Sequence, residues 1–294
     1  MRFELDADQR DLAGALDALL SSAGTVAVAR AWADGDHAPG LALWSRLTDL
    51  GVLSLATEAT PVEVVVAFEA LGRHAVPGPW VESAAYLPLA LGREVTGVAT
   101  VALPPLVPYA LDADVADEVY VGSTPVASVG DRVGSVDRTR HLFRIGDAGD
   151  AEVHPELPGE AFDLAVLATA AQLLGAGERI LADSVSYVKQ RRQFGREIGS
   201  YQAIKHHLAD VRIALDFARP LVLGAALGAV PASAAKVAAG DAAYLSSRTG
   251  LQVHGAIGYT QELDLSLWLT KVRALVTAWG TPAYHRARVL EGLL

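Results

Sequence analysis

Apolar residues recur three and four positions apart along "DADQRDLAGALDALLSS", which puts Leu12, Ala15, Leu16, Leu19 and Leu20 on one face. That spacing predicts an amphipathic helix, with acidic residues at the end where the helix dipole favours them. "LALWSRLTDLG" repeats the pattern and stops at Gly51, a residue suited to the left-handed turn that closes a helix. "PVEVVVAFEALGRHAVPGP" opens on Pro61 near a first helical position, ends near Gly72 and runs into Pro77 and Pro79. Residues 1–95 therefore read as an N-terminal helical domain.

The period changes over residues 96–158. "VTGVATVAL", "EVYVGS", "PVASVG" and "HLFRIG" are short, Val-rich and punctuated by Gly, Pro and Asp, so this stretch reads as a small β domain. From 159 to 294 the helical period returns in four long segments. The first, from Phe162, carries Gly175 and Gly177; the second holds Pro220, an expected kink; the fourth is interrupted near Gly280 and Pro282. Short connections between long helices predict an antiparallel four-helix bundle. The fold class is mainly α with a small β domain.

Composition narrows the function classes. No cysteine is present, which removes disulfides, thiolate catalysis and Cys-based metal sites and fits a cytoplasmic protein. The formal charge of −10 argues against nucleic acid as a partner. The apolar runs around Ala225 and Ala239 are broken by Gly, Pro, Lys and Asp, so no membrane span is expected, and the acidic amphipathic N-terminus does not read as a signal peptide.

Two segments carry candidate chemistry. In "RRQFGREIGSYQ", Arg191 and Arg192 follow a helix, and Gly195 and Gly199 allow a tight turn into the next. Arginine forks match phosphate oxygens, and a helix start near Ser200 adds positive potential. A solvated charged loop between two bundle helices is the plainer reading. In "LQVHGAIGYTQE", Gln252 offers a polar side chain and Gly255 lets a ligand come close, although an ordinary glycine-terminated helix explains the same residues. His206 and His207 diverge on a helix with no third ligand, so no metal site is expected there.

Together these segments are more specific than either alone. "YVKQRRQFGREIGSYQAIKHHLADV", then "LQVHGAIGYTQELDL" and "WGTPAYHR", resemble the C-terminal half of the acyl-CoA dehydrogenase family. "FELDADQRDL", "LWSRLTDLGVLSL" and "FEALGRHAVPGP" are similar to its opening helices, and the order helical, β, four-helix bundle is the family architecture. The resemblance implies an FAD-dependent oxidation of an acyl-CoA thioester to 2,3-enoyl-CoA, with an electron-transfer flavoprotein as electron acceptor. It implies that Arg191, Gln193, Phe194, Gln202, Gln252 and Gly255 reach across a subunit interface to an FAD bound mainly by the neighbouring chain. Ala256 stands where the family has a second glycine.

The chain also departs from the pattern. The usual catalytic Glu precedes "GT", and that position is Trp279. The less common base position, on the first bundle helix, falls close to Ala165, with Asp163 about half a turn away. Nothing matches the Trp–Ile–Thr-like strand that lies against the flavin ring, and the β domain is truncated. These losses resemble the degenerate subunit of the α2β2 acyl-CoA dehydrogenases of actinobacterial steroid side-chain catabolism. A full-length homologue is then the expected α subunit, and a bulky acyl-CoA the expected substrate. The rivals are a self-sufficient homomeric dehydrogenase with a displaced base, Glu262 or Asp163, and a flavin-free CoA-ester-binding or scaffold protein.

Overall fold

The computed structural model describes residues 3–145 and 159–293. Helix α1 (Ala7–Ser22) begins at a reciprocal cap, with the Gln9 amide donating to Asp6 at 2.9 Å and the Asp6 amide to the Gln9 side chain at 3.1 Å. Helices α2 (Thr25–Ala33), α3 (Ala38–Asp49) and α4 (Leu55–Glu58) lead to α5 (Pro61–Arg73), where Thr60 and Glu63 form a second such cap. A π-helical turn, Glu82–Tyr86, runs into α6 (Leu87–Leu91).

Two small sheets follow. In the first, β1 (Ala99–Ala102) lies parallel to β3 (Glu118–Val121), which pairs antiparallel with β4 (Thr124–Pro125). In the second, β6 (Leu142–Arg144) is flanked antiparallel by β2 (Tyr109–Leu111) and β5 (Arg132–Val133). The segment "PVASVG" contributes only its first residue to a strand, while β2 and β5 arise in stretches without a strand signal. The end of the expected β domain, residues 146–158, lies outside the described residues.

The bundle is built on α7 (Glu160–Gln190), which continues through Gly175 and Gly177. Helix α8 (Gln202–Ala226) continues through Pro220, and α9 (Ala232–His254) follows. The fourth segment is two helices, α10 (Ser266–Leu275) and α11 (Pro282–Glu291), parted where the sequence places Gly280 and Pro282. Helix α7 alone among the described helices is long and apolar enough to cross a membrane, and 89% of its apolar window is buried inside this fold. That departs from the sequence expectation, and the burial accounts for it: α7 is the central core helix.

Glycines set how closely the layers meet. A Cβ on Gly72 of α5 would overlap the backbone carbonyl of Gln172, and one on Gly175 would overlap that of Glu69. Helices α5 and α7 therefore cross backbone to backbone. Trp268 of α10 seals this crossing by donating to the carbonyls of Gly72 and Arg73 at 3.2 and 3.0 Å, at the end of α5, where the Gly72 carbonyl also accepts the Ala75 amide. Arg219 of α8 forks onto Glu69 at 2.8 and 2.9 Å. Lys271 of α10 reaches buried Asp137 at 3.3 Å and Thr139 at 3.1 Å, tying the bundle to the β sheets.

Candidate functional site

Helix α7 ends at Arg191, and the chain turns through a two-stranded hairpin, β7 (Arg192–Gln193) and β8 (Arg196–Glu197). Phe194 and Gly195 form its tip, at φ 51° and 80°. Two consecutive positive φ values match the hairpin turn whose twist suits its strands, and they explain the glycine. The Ile198 amide donates to the Arg191 carbonyl at 2.8 Å and closes the hairpin base. The Phe194 ring is 92% exposed, and Arg191, Arg192, Gln193 and Arg196 are exposed around it. The Arg196 guanidinium stacks over Tyr201 at 3.9 Å, and exposed Gln202 opens α8.

The second segment sits at the same end of the bundle. Gly177 of α7 faces Ala243 of α9, and further along each helix Tyr187 stacks on His254 with ring centroids 4.2 Å apart. Helices α7 and α9 therefore run parallel and finish together. Gln252 is exposed on the last turn of α9, and Gly255 leaves it at φ 63°. Exposed Ala256 and Tyr259, the latter 78% open, follow. The structure thus brings the hairpin and the Gln252–Gly255 turn to one end of the bundle, with exposed arginines and two open aromatics, Phe194 and Tyr259.

Trp279, the residue at the position expected for the usual base, is closed off. Trp279 is 2% exposed, holds φ 56° and packs against Tyr86 at 5.1 Å and Phe162 at 5.9 Å between centroids. Its carbonyl is hydrogen-bonded to His285 Nε2 at 2.9 Å. Glu82, wholly buried on the π-helical turn, lies beside the Trp279 side chain; burial raises its pKa, against the opposing pull of Arg140. Sequence reasoning missed Glu82, which carries no motif and lies almost two hundred residues from its neighbour. Of the two displaced-base candidates, Asp163 is paired with Arg288 at 2.8 Å and Glu262 is exposed in the segment after α9. Ala165 is buried in α7.

N-terminal helices, small β sheets and a helical bundle, in this order, make the fold of the acyl-CoA dehydrogenases. Residues 157–294 match the family model for the acyl-CoA dehydrogenase C-terminal domain, and the whole chain carries the acyl-CoA dehydrogenase fold. Among curated proteins, acyl-CoA dehydrogenase IpdE2 of Mycobacterium tuberculosis is 36% identical over 170 residues, covering 55% of this chain and 53% of its own. IpdE2 of Mycolicibacterium smegmatis is 29% identical over 244 residues, covering 77% of each chain. The chain thus spans about half the length of the first of these relatives. Among solved structures, butyryl-CoA dehydrogenase of Megasphaera elsdenii superposes with TM-score 0.81 at 19% identity, covering 100% of this chain and 99% of its own. The ChsE4-ChsE5 complex of Mycobacterium tuberculosis gives 0.73 at 22% identity, covering 100% and 99%.

Proposed function

We propose that this chain is the non-catalytic subunit of a heteromeric, FAD-dependent acyl-CoA dehydrogenase. The observation that carries the reading is Trp279: at the place of the family's base stands a buried indole, walled by Tyr86 and Phe162. Indole has a donor and no proton-accepting site. The chain's residues fit FAD in one way and not in another. The space beside Trp279 is filled by side chains, whereas the open hairpin suits the flavin pyrophosphate of a neighbouring chain. Bound FAD supplies the hydride acceptor of acyl-CoA oxidation.

Arg191 supplies a planar pair of donors to phosphate, Gln193, Gln202 and Gln252 supply neutral donors, Phe194 packs against a ring, and Gly255 permits close approach. The partner is a full-length homologue in an α2β2 assembly, the substrate a bulky acyl-CoA such as a steroid side-chain thioester, and electrons leave to an electron-transfer flavoprotein. Support comes from similarity to IpdE2 and from the two-protein ChsE4-ChsE5 neighbour. Replacing Arg191 by Ala in the co-purified complex tests the arm. Loss of a charge-assisted bond of about 1.5–3 kcal/mol lowers FAD retention roughly tenfold or more; unchanged flavin content on dilution rejects it.

A second reading rests on Glu82. A buried carboxyl with a raised pKa beside Trp279 has the chemistry of a displaced base. It requires Glu82→Gln to abolish turnover in a complex whose partner has lost its own catalytic Glu.

A further inference from the structure

Three side chains from distant segments converge beside Trp32. His37 precedes α3, Asp114 follows β2 and His141 precedes β6. His37 Nε2 lies 3.3 Å from His141 Nδ1 and 3.8 Å from Asp114 Oδ2, and His141 Nδ1 lies 3.4 Å from the same oxygen. A circle through three points at these separations has a radius of about 2.0 Å, the length of a zinc–nitrogen or zinc–oxygen bond. The ring of Trp32 walls the group, 4.7 Å from His37 and 6.5 Å from His141.

Protons satisfy this arrangement poorly: with one on each of His37 Nε2 and His141 Nδ1, two donors 3.3 Å apart share one carboxylate oxygen at 3.8 and 3.4 Å, longer than an ordinary hydrogen bond, and a single proton does worse. A proton on His141 Nδ1 can be directed at Asp114 or at His37, but the unprotonated His37 Nε2 then faces the carboxylate oxygen lone pair to lone pair. A proton on His37 Nε2 instead leaves His141 Nδ1 facing that oxygen without one. His141 is fully buried, and its Nε2 has no partner, so no bond on the far side of the ring fixes its tautomer. A cation at the centre accepts all three lone pairs at once. Asp112 braces the site from behind, accepting the His141 amide at 3.0 Å while its own amide donates to the His141 carbonyl at 2.6 Å.

We infer that His37, Asp114 and His141 bind one divalent cation of the zinc class. Two imidazoles and one carboxylate are nitrogen and oxygen donors that suit zinc, and water completes the fourth position from the side where His37 and Asp114 are 18% and 29% open. The ion clamps the N-terminal helices, through His37, to one end of the second sheet, where β2 ends opposite the start of β6.

The test uses the full chain, alone or with its partner, stripped with a chelator and titrated with Zn²⁺ or Co²⁺. The expected result is one zinc per chain, an unfolding midpoint that climbs with zinc, and the intense visible absorption of tetrahedral cobalt. Asp114→Asn and His37→Gln lower zinc affinity roughly 10–100-fold or more while matching the chelated wild type in unfolding midpoint. His206→Gln and His207→Gln leave affinity unchanged. Well under one zinc per chain, or wild-type affinity in Asp114→Asn and His37→Gln, overturns the inference. If those substitutions unfold the chain, wild-type cobalt decides: tetrahedral bands support the site, and the weak spectrum of hydrated cobalt overturns it.

Discussion

His254 lies face to face with Tyr187, ring centroids 4.2 Å apart and planes 27° from parallel, and so locks the end of α9 onto the end of α7. His254 also bonds through Nδ1 to the Gly250 carbonyl at 2.8 Å. Neither ring belongs to the hairpin, yet both set the spacing between Arg191 and Gln252. His254→Ala is expected to lower stability by about 1–3 kcal/mol, from the lost stack and the lost hydrogen bond. Urea unfolding measures this, and flavin retention in the complex is expected to fall with it. A flavin content untouched by His254→Ala would separate the two segments functionally.

The crossing of α5 and α7 gives the sharpest steric expectation. A Cβ at Gly72 meets backbone, which cannot rotate aside, so Gly72→Ala is expected to cost about 3 kcal/mol or more. Gly14 of α1 has nothing within 4 Å of its would-be Cβ. Gly14→Ala is therefore expected to be neutral or to stabilise by up to about 1 kcal/mol, through helix propensity. Thermal unfolding of the pair checks both.

Lys236 donates from inside the bundle to the carbonyls of Leu275 and Val276, at 3.1 Å each, and burial pushes its pKa down to about 7. His285 is pushed down to about 4, by burial first and then by the Lys236 charge. Between about 7 and the ordinary lysine value near 10.5 the unfolded chain holds a proton that the folded chain has released. Stability therefore rises with pH across that window, and is lowest below it. Lys236→Met is expected to flatten this rise, read from urea unfolding at successive pH values; an equal slope in the variant would contradict it.

Local signals were legible where chemistry and periodicity agree. The acidic start of α1 and the Pro61 start of α5 formed as helix ends, and the breaks at Gly51 and near Gly280 fell where expected. The β region was read less well. Strands of two to four residues, such as β5, are held by cross-strand partners, and "PVASVG" has too few of them to continue beyond Pro125. The hairpin residues were nameable from their motif. Their parallel arrival with Gln252 at one bundle end depends on Gly177 meeting Ala243, a tertiary contact with no sequence period. Glu82 beside Trp279, and His37 with Asp114 and His141, were invisible for the same reason: each group is assembled across roughly a hundred residues or more.

In the proposed assembly one chain of the pair holds the chemistry and this one does not. The most direct measurement is the number of flavins per chain in the purified, co-expressed complex, combined with turnover after the partner's catalytic Glu is changed to Gln. One FAD for every two chains is expected, with no enoyl-CoA from that complex, with or without Trp279→Glu in this chain, because a carboxylate there supplies a base without a flavin to take the hydride and buries an unpaired charge. One FAD per chain, or enoyl-CoA formed after the partner's Glu is gone, would contradict it.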